Sequence, residues 1–291
     1  MVAFFCPPPF IKASASEIVA TVSANVSALV LRSLFTSADW VSTKNKTVII
    51  NSGVTVSASA LDGALRAQLA TEATAWGGVL TLVNNGIIQG IGGAANSGVG
   101  GDAMFSGTYI APGSKIIVNN FGTVRAGGGG GGQGGAGSTS GTVREPTSGD
   151  NYNTSNTFWQ QFQDGSNLYW PGGPSGFYSG LATSFVVGSY TYFRGSQRDQ
   201  ILYGIYRTST QTTPTTGGSG GRGQGADGAA AAGSAGGTNA GAGGAGGPWG
   251  ASGAVGSAGN SAGAAGGLGG VAYSSASVTM NNSGTVQGRV I

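Results

Sequence analysis

Glycine recurs at every third position of residues 241–259: Gly241, Gly244, Gly247, Gly250, Gly253, Gly256 and Gly259. The phase then slips by one residue and resumes at Gly263, Gly266 and Gly269. A period of three matches neither the 3.6 of an α-helix nor the 2 of a β-strand. It matches the polyproline-II helix, which has three residues per turn. Read as one uninterrupted helix rising about 3.1 Å per residue, the run spans about 56 Å. Collagen shares the period but needs abundant proline, and this run holds only Pro248.

A helix of this kind makes no internal hydrogen bonds, so its buried backbone groups must pair laterally with neighbours. Glycine on a contact face lets two backbones approach, because no Cβ intervenes. One ordered run therefore implies others, and residues 90–101, 127–135 and 217–228 supply them. The competing reading is a flexible glycine/serine/alanine linker. A strict period is more than a linker requires, which favours ordered polyglycine-II packing. Glycine is 59 of 291 residues, far above its usual share of roughly 7%. Glycine and alanine bury little apolar area, so backbone hydrogen bonding must carry much of the fold.

A second pattern occurs four times. Residues 47–56, 80–90, 115–127 and 277–288 each contain a short β-branched run, an Asn pair or Asn-Ser, a glycine, and a second short run. Their centres are Asn51-Ser52-Gly53, Asn84-Asn85-Gly86, Asn119-Asn120-Phe121-Gly122 and Asn281-Asn282-Ser283-Gly284. Asn and Gly tolerate φ > 0, so each centre reads as a bend between two strands. Such units are expected to stack, each burying the next one's apolar side chains. Their spacing along the chain is irregular, which argues against a regular solenoid. Residues 61–75 read as one helix.

Residues 1–46 differ from the rest. Ser14 and Glu17 form a possible capping box. The apolar residues from Ile18 to Leu34 suit either a helix or, given the valines, strands. The segment reads as an attachment module for another protein, or as an ordinary N-terminal cap on the fold. The opening residues lack a basic stretch and carry Pro7, Pro8 and Pro9, so they read poorly as a secretory signal.

The third and fourth Asn segments resemble each other across a long separation, and they are expected to be neighbours in space. What lies between is then an excursion from the β repeats. Residues 142–216 form its far part, rich in aromatic side chains mixed with Pro, Asn and Gly. Such a stretch reads as structured loops on a rigid scaffold. Tyr- and Trp-rich loops also make recognition surfaces. The candidate binding residues are Tyr152, Trp159, Tyr169, Trp170, Tyr178, Tyr190 and Tyr192. The alternative is that these aromatics form the core of a small β subdomain, and roughly half are expected inside.

Composition removes most enzyme chemistry. There is no histidine and one cysteine, Cys6. That excludes a Ser-His-Asp triad, a Cys-His dyad, a His-metal site and an intrachain disulfide. Paired carboxylates in the insert (Glu145, Asp150, Asp164, Asp199) could hydrolyse a glycan. Beside Arg144, Arg194, Arg198 and Arg207 they read better as solvated or paired charges, and no catalytic residue or cofactor is assigned. A net charge of +3 gives no case for nucleic acid.

Glycine-rich tracts alternating with aromatic loops, and the Val-Asn-Asn-x-Gly-x-Val segment leading into polyglycine, resemble the tail-fibre adhesins of T-even-like phages, the Gp38 type. The resemblance covers residues 80–140 and 217–290. It implies a layered polyglycine-II sandwich whose distal loops bind a host receptor and whose N-terminal part attaches to the fibre. The single large insert departs from the several short loops of that family. The expected fold is mainly β and irregular, with short stacked β repeats plus a polyglycine-II bundle and an N-terminal attachment segment. The expected domains are 1–46, 47–141, 142–216 and 217–291. The expected function is receptor binding at the tip of a phage tail or tail fibre. The partners implied are a host outer-membrane protein or surface glycan, and other tail or fibre proteins through residues 1–46. The implied location is the virion, after synthesis in the host cytoplasm. A purely structural fibre component and a polyglycine-II ice-binding protein are the alternatives.

Overall fold

The β-branched runs flanking the first three Asn–Gly bends are short, three to five residues, and each alternates buried and half-exposed positions. That alternation fits strands with one face on a core. The computed structural model describes residues 17–61, 63–67, 75–104, 115–146, 152–154, 157–161, 167–169, 184–187, 190–197 and 203–291. In chain order these hold β1 (Ile18–Val22), β2 (Val26–Ser27), β3 (Leu29–Val30), a 3-10 turn (Leu31–Leu34), α1 (Ser37–Val41), β4 (Lys46–Ile50), β5 (Thr55–Ser57), β6 (Leu65–Arg66), β7 (Leu80–Asn84), β8 (Ile87–Gln89), β9 (Ile116–Asn120) and β10 (Thr123–Arg125). The insert then contributes β11 (Gly137–Pro146), β12 (Tyr152–Thr154), β13 (Thr157–Gln161), β14 (Asn167–Tyr169), β15 (Ser184–Val187), β16 (Tyr190–Gln197) and β17 (Tyr203–Thr215). The chain closes with β18 (Val271–Tyr273), β19 (Val278–Asn282), β20 (Thr285–Gln287) and β21 (Arg289–Val290). The chain divides into two compact units, Met1–Gly137 with Thr215–Ile291, and Ser138–Pro214.

The first unit contains a parallel β-helix. One sheet has the order β1-β4-β7-β9-β19, and a second has β2-β5-β8-β10-β20. A third, interrupted side runs from β3 to β6, through a bridge from Leu65 to Met104, to β18 and β21. The amides of Ala103 and Met104 bond Val271 and Ala272 across the gap. Five rungs of three sides result. The irregular spacing of the Asn segments has a simple cause. Rung three carries residues 90–102 between its second and third sides, and rung four carries residues 126–270 at the same corner. The rungs themselves are regular. The third and fourth Asn segments are paired directly, from Ile116↔Val278 to Asn120↔Asn282 and from Thr123↔Thr285 to Arg125↔Gln287.

Of the two readings open for the apolar residues from Ile18, the strands are found: β1, β2 and β3 belong to rung one, as the valine-rich character suits. One expectation is corrected. Residues 61–75 are not one helix. Leu65–Arg66 is a strand on the third side, paired with Leu29–Val30; positions 62 and 68–74 lie outside the described residues. Ser14, of the possible capping box, lies outside them too.

Side chains inside the β-helix form columns. Val26, Val56, Ile88, Val124 and Val286 share one register position. Ala20, Val48, Leu82, Val118 and Met280 share another. A third begins apolar with Val22 and Ile50, then continues as Asn84, Asn120 and Asn282. Asn84 and Asn120 are fully buried. Asn84 Nδ2 donates to Asn120 Oδ1 at 2.7 Å, and Asn120 Nδ2 donates to Asn282 Oδ1 at 2.7 Å. Buried amides are tolerable because each is paired in turn. Lys46 is likewise fully buried. Its ammonium donates to the carbonyls of Ser42, Lys44 and Gly77 at 2.7–2.9 Å. Burial lowers its pKa, an effect opposed by the Asp39 carboxylate.

The glycine tracts form eight extended segments among the described residues: 90–94, 98–102, 127–136, 216–224, 229–236, 240–248, 251–258 and 262–270. They are neither α-helix nor strand, and they bond sideways with a period of three. Residues 127–136 are the centre. Gly127 and Gly130 donate to Gly101 and Gly98, Gly128, Gly131 and Gly134 to Gln224, Gly221 and Gly218, and Gly129, Gly132 and Gly135 to Ala251, Ala254 and Ser257. The same segment accepts from Gly93, from Gly241, Gly244 and Gly247, and from Ala264, Gly267 and Gly270. It therefore has six bonded neighbours. Those neighbours also bond one another in a closed ring, and residues 229–236 lie outside it, bonded to 216–224 and 240–248.

The opening run of glycines is not one helix. It turns at 248–250, where Gly250 has φ +67° and the Ala251 amide bonds Pro248. The slip of phase after Gly259 is the next turn. The period survives the first turn because a Cβ at Gly241, Gly244 or Gly247 would meet residues 251–258, and one at Gly253 or Gly256 would meet residues 127–136.

Candidate functional site

The polyglycine array ends where the insert begins. In chain order residues 127–136 precede β11, and 216–224, bonded to 127–136, follow β17. Two turns gather at the same end of the array. The Gly237 amide bonds Thr216 and the Thr215 hydroxyl bonds the Thr238 carbonyl at 2.6 Å, fixing the turn at 237–240. The Ser261 hydroxyl accepts from the Ala136 amide at 2.9 Å, and the Ser261 amide returns a bond to the Ala136 carbonyl, fixing the turn at 259–261. These bonds hold Ala136, Thr215 and Thr216 within the first unit. Sequence reasoning missed these turns as part of the site. The residue types were the available signal: Thr238-Asn239 and Asn260-Ser261 break the glycine phase with turn-forming residues.

The insert has its own sheets. One has the order β11-β17-β16-β15, and the other is β12-β13-β14. Turn residues and alternating β-branched and aromatic residues explain why these stretches are strands. In the three-stranded sheet Tyr152 lies opposite Trp159, and Trp159 lies opposite Tyr169. Three candidate residues therefore occupy one row across the sheet. Tyr190 and Tyr192 lie on β16, with Tyr190 opposite Val187, and Tyr192 opposite Phe185 on one side and Arg207 on the other. Trp170 and Tyr178 lie outside the described residues.

Arg222, Asp227, Asp102 and Arg125 bond within the first unit. Arg222 pairs with Asp227 at 2.5 Å, and the Asp227 carboxylate accepts from the Gly92 amide at 2.8 Å. Asp102 accepts from the Val271 amide at 2.8 Å. The Arg125 guanidinium donates to Gln89 Oε1 and lies 4.0 Å from the Trp249 ring centroid. Desolvation by burial lowers its pKa. Among the described residues no group of three or more Cys, Asp or Glu side chains is placed to hold a metal ion. None of their helices is long and apolar enough to cross a membrane.

A family model described as phage tail fibre adhesin Gp38 matches residues 17–291. No curated protein matches. A solved structure, the gp37-gp38 adhesin tip complex of the bacteriophage S16 long tail fibre, is similar at 17% identity and a TM-score of 0.41, covering 94% of this chain and 82% of that one. The chain belongs to the Gp38 family of phage tail fibre adhesins, and is a receptor-binding protein of the tail fibre.

Proposed function

We propose that residues 142–216 make the receptor contact, and that Tyr152, Trp159, Tyr169, Trp170, Tyr178, Tyr190 and Tyr192 supply its anchors. The row Tyr152–Trp159–Tyr169 supports this reading most directly. Aromatic residues held on paired strands lose little entropy when they bind, and Tyr and Trp dominate binding hot spots. The partner is a host outer-membrane protein or surface glycan. Residues 1–46 attach the adhesin to other fibre proteins, as the S16 complex pairs gp38 with gp37. The protein is made in the host cytoplasm and binds without catalysing a reaction. Replacing Trp159 and Tyr169 together with alanine tests the receptor contact. At about 2 kcal/mol per anchor, adsorption affinity falls roughly 30-fold for each. Variants that adsorb normally, on intact particles, would show that the insert is a structural element.

A further inference from the structure

One side of the polyglycine array is shorter than the rest. Residues 90–94 and 98–102 are a hairpin whose tip, Asn96 and Ser97, is fastened at mid-height. The Ser97 amide bonds the Gly131 carbonyl, the Ser97 hydroxyl bonds the Ala265 carbonyl, and Asn96 Oδ1 accepts from the Gly220 amide at 2.8 Å. The other four neighbours of residues 127–136 continue past that level, where Gly134 bonds Gly218, Gly241 bonds Gly135, Gly135 bonds Ser257 and Ala264 bonds Gln133. Beyond the tip a slot therefore opens beside residues 132–136, about 15 Å long at about 3.1 Å per residue. Its walls are residues 216–220 and 261–265. The sequence marks it. A Cβ at Gly127 or Gly130 would overlap the carbonyl of Ile91 or Ala94 in the hairpin. Three and six residues further on stand Gln133 and Ala136, exposed in a run whose other members are buried.

The backbone rows that hold the hairpin continue into the slot. The amides of Gly127 and Gly130 donate to Gly101 and Gly98, and the Gln133 amide is next in that row. The carbonyls of Gly128 and Gly131 accept from Gly93 and Ser97, and the Gly134 carbonyl is next. The amides of Gly223 and Gly220 donate to the Gly93 carbonyl and Asn96 Oδ1, and the Gly217 amide is next. The carbonyls of Leu268 and Ala265 accept from the Gly100 amide and the Ser97 hydroxyl, and the Ala262 carbonyl is next. None of these four next groups has a partner among the described residues, and Gly134 is buried. A buried backbone group without a partner is costly.

We propose that this slot binds an extended segment of a host receptor protein, held in polyproline-II conformation with glycine where it passes Gln133 and Ala136. The segment's carbonyls accept from the Gln133 and Gly217 amides, and its amides donate to the Gly134 and Ala262 carbonyls. The occupant follows from continuity with the hairpin interface. Groups of one row recur every three residues, about 9 Å apart, which is the repeat of a polyproline-II chain. Rows that already hold such a chain offer the same groups in the same sequence beyond its tip. Glycine is required in the segment because Gln133 and Ala136 carry the Cβ that Gly127 and Gly130 lack. A saccharide brings hydroxyls in place of alternating amides and carbonyls, and matches the rows less well. Recognition through backbone groups adds a strand-like contact whose side chains are free to vary.

The inference rests on the chain binding a host receptor, and it does not depend on the aromatic anchors of the insert. The probe is a synthetic nonapeptide of three Pro-Gly-Gly repeats, titrated into the full-length protein and followed by the amide resonances of Gln133 and Gly217. Binding of the purified protein to host cells is measured beside it. Gln133→Trp fills the slot from an exposed position. This variant should unfold at the wild-type temperature, bind the peptide at least tenfold more weakly and bind host cells at least tenfold more weakly. Absence of peptide binding by the wild type overturns the proposal, and so does wild-type cell binding by Gln133→Trp. Loss of cell binding on adding host surface glycan, with no effect of the peptide, also overturns it, as does a slot closed by self-association of the wild-type protein. If Gln133→Trp misfolds, Ala136→Trp takes its place, and protection of the Gln133 and Gly217 amides from exchange by the peptide decides on the wild type. The variant lacking Trp159 and Tyr169 separates the two readings. It keeps wild-type peptide binding whether or not the insert contacts the receptor.

Discussion

At the residue scale, glycine frequency reports the number of neighbours a segment has. Residues 127–132 are packed on all sides, and glycine fills every position. A Cβ at Gly128 would overlap the Gly247 carbonyl, one at Gly129 the Gly267 carbonyl, and one at Gly130 the Ala94 carbonyl. Residues 251–258 lie at the rim and need glycine at only one position in three. Gly131→Ala should therefore destabilise by about 4 kcal/mol or more, because backbone meets backbone with no side chain to give way. Ala258→Gly, on the exposed face, should cost about 1 kcal/mol or less. Thermal unfolding of the two variants checks both. Lys46 makes a different prediction. Lys46→Met leaves the carbonyls of Ser42, Lys44 and Gly77 without their donor and should cost about 2–5 kcal/mol. Because the Lys46 pKa in the folded state is lowered, the unfolded chain holds more protons as pH approaches the ordinary lysine value of 10.5. Stability from Lys46 then rises with pH in that window. The gap between wild type and Lys46→Met should widen there, as read by denaturant melts.

At the element scale, the joint between β-helix and polyglycine array rests on Arg125 and the turn at 248–250. Trp249 stacks under Arg125, and its amide bonds Gln224 Oε1 at 3.3 Å. Trp249→Ala should cost about 1–3 kcal/mol, from a lost cation–π contact and lost packing. Loosening should be local to 224–228 and 248–252 in hydrogen exchange. Some elements were readable in the sequence and others were not. The period of three and the Asn–Gly bends carry their own chemistry, so the array and the first two sides of rungs two to five could be anticipated. The third side could not. Leu29–Val30, Leu65–Arg66, Arg289–Val290 and the pair 103–104 are too short to show a period, and the glycine excursions separate them. The turn at 248–250 is hidden because an extended segment of the array reverses there without breaking phase. The ladder Asn84–Asn120–Asn282 was visible as repeated Asn, but as a bend former and not as a buried hydrogen-bonded column. In the insert, composition marked the aromatic residues, while their cross-strand register depends on pairing that composition does not encode.

At the scale of the whole molecule, the chain solves one problem twice. A β-helix and a polyglycine array both satisfy backbone groups laterally; the apolar core lies inside the β-helix, and the glycine-rich array rests on its backbone hydrogen bonds. The array is covalently continuous with the insert at both stems, and its segments 127–136 and 216–224 are bonded neighbours. The insert can then be removed without severing the scaffold. Replacing Ser138–Pro214 with a short Gly-Ser turn tests the central claim, that this insert is what binds the host. Binding of the purified protein to host cells is measured beside its thermal unfolding. The account predicts that the shortened protein keeps the unfolding transition of the array and loses binding, and that it no longer competes with phage for adsorption. A shortened protein that folds, binds and competes as well as the full chain would contradict it.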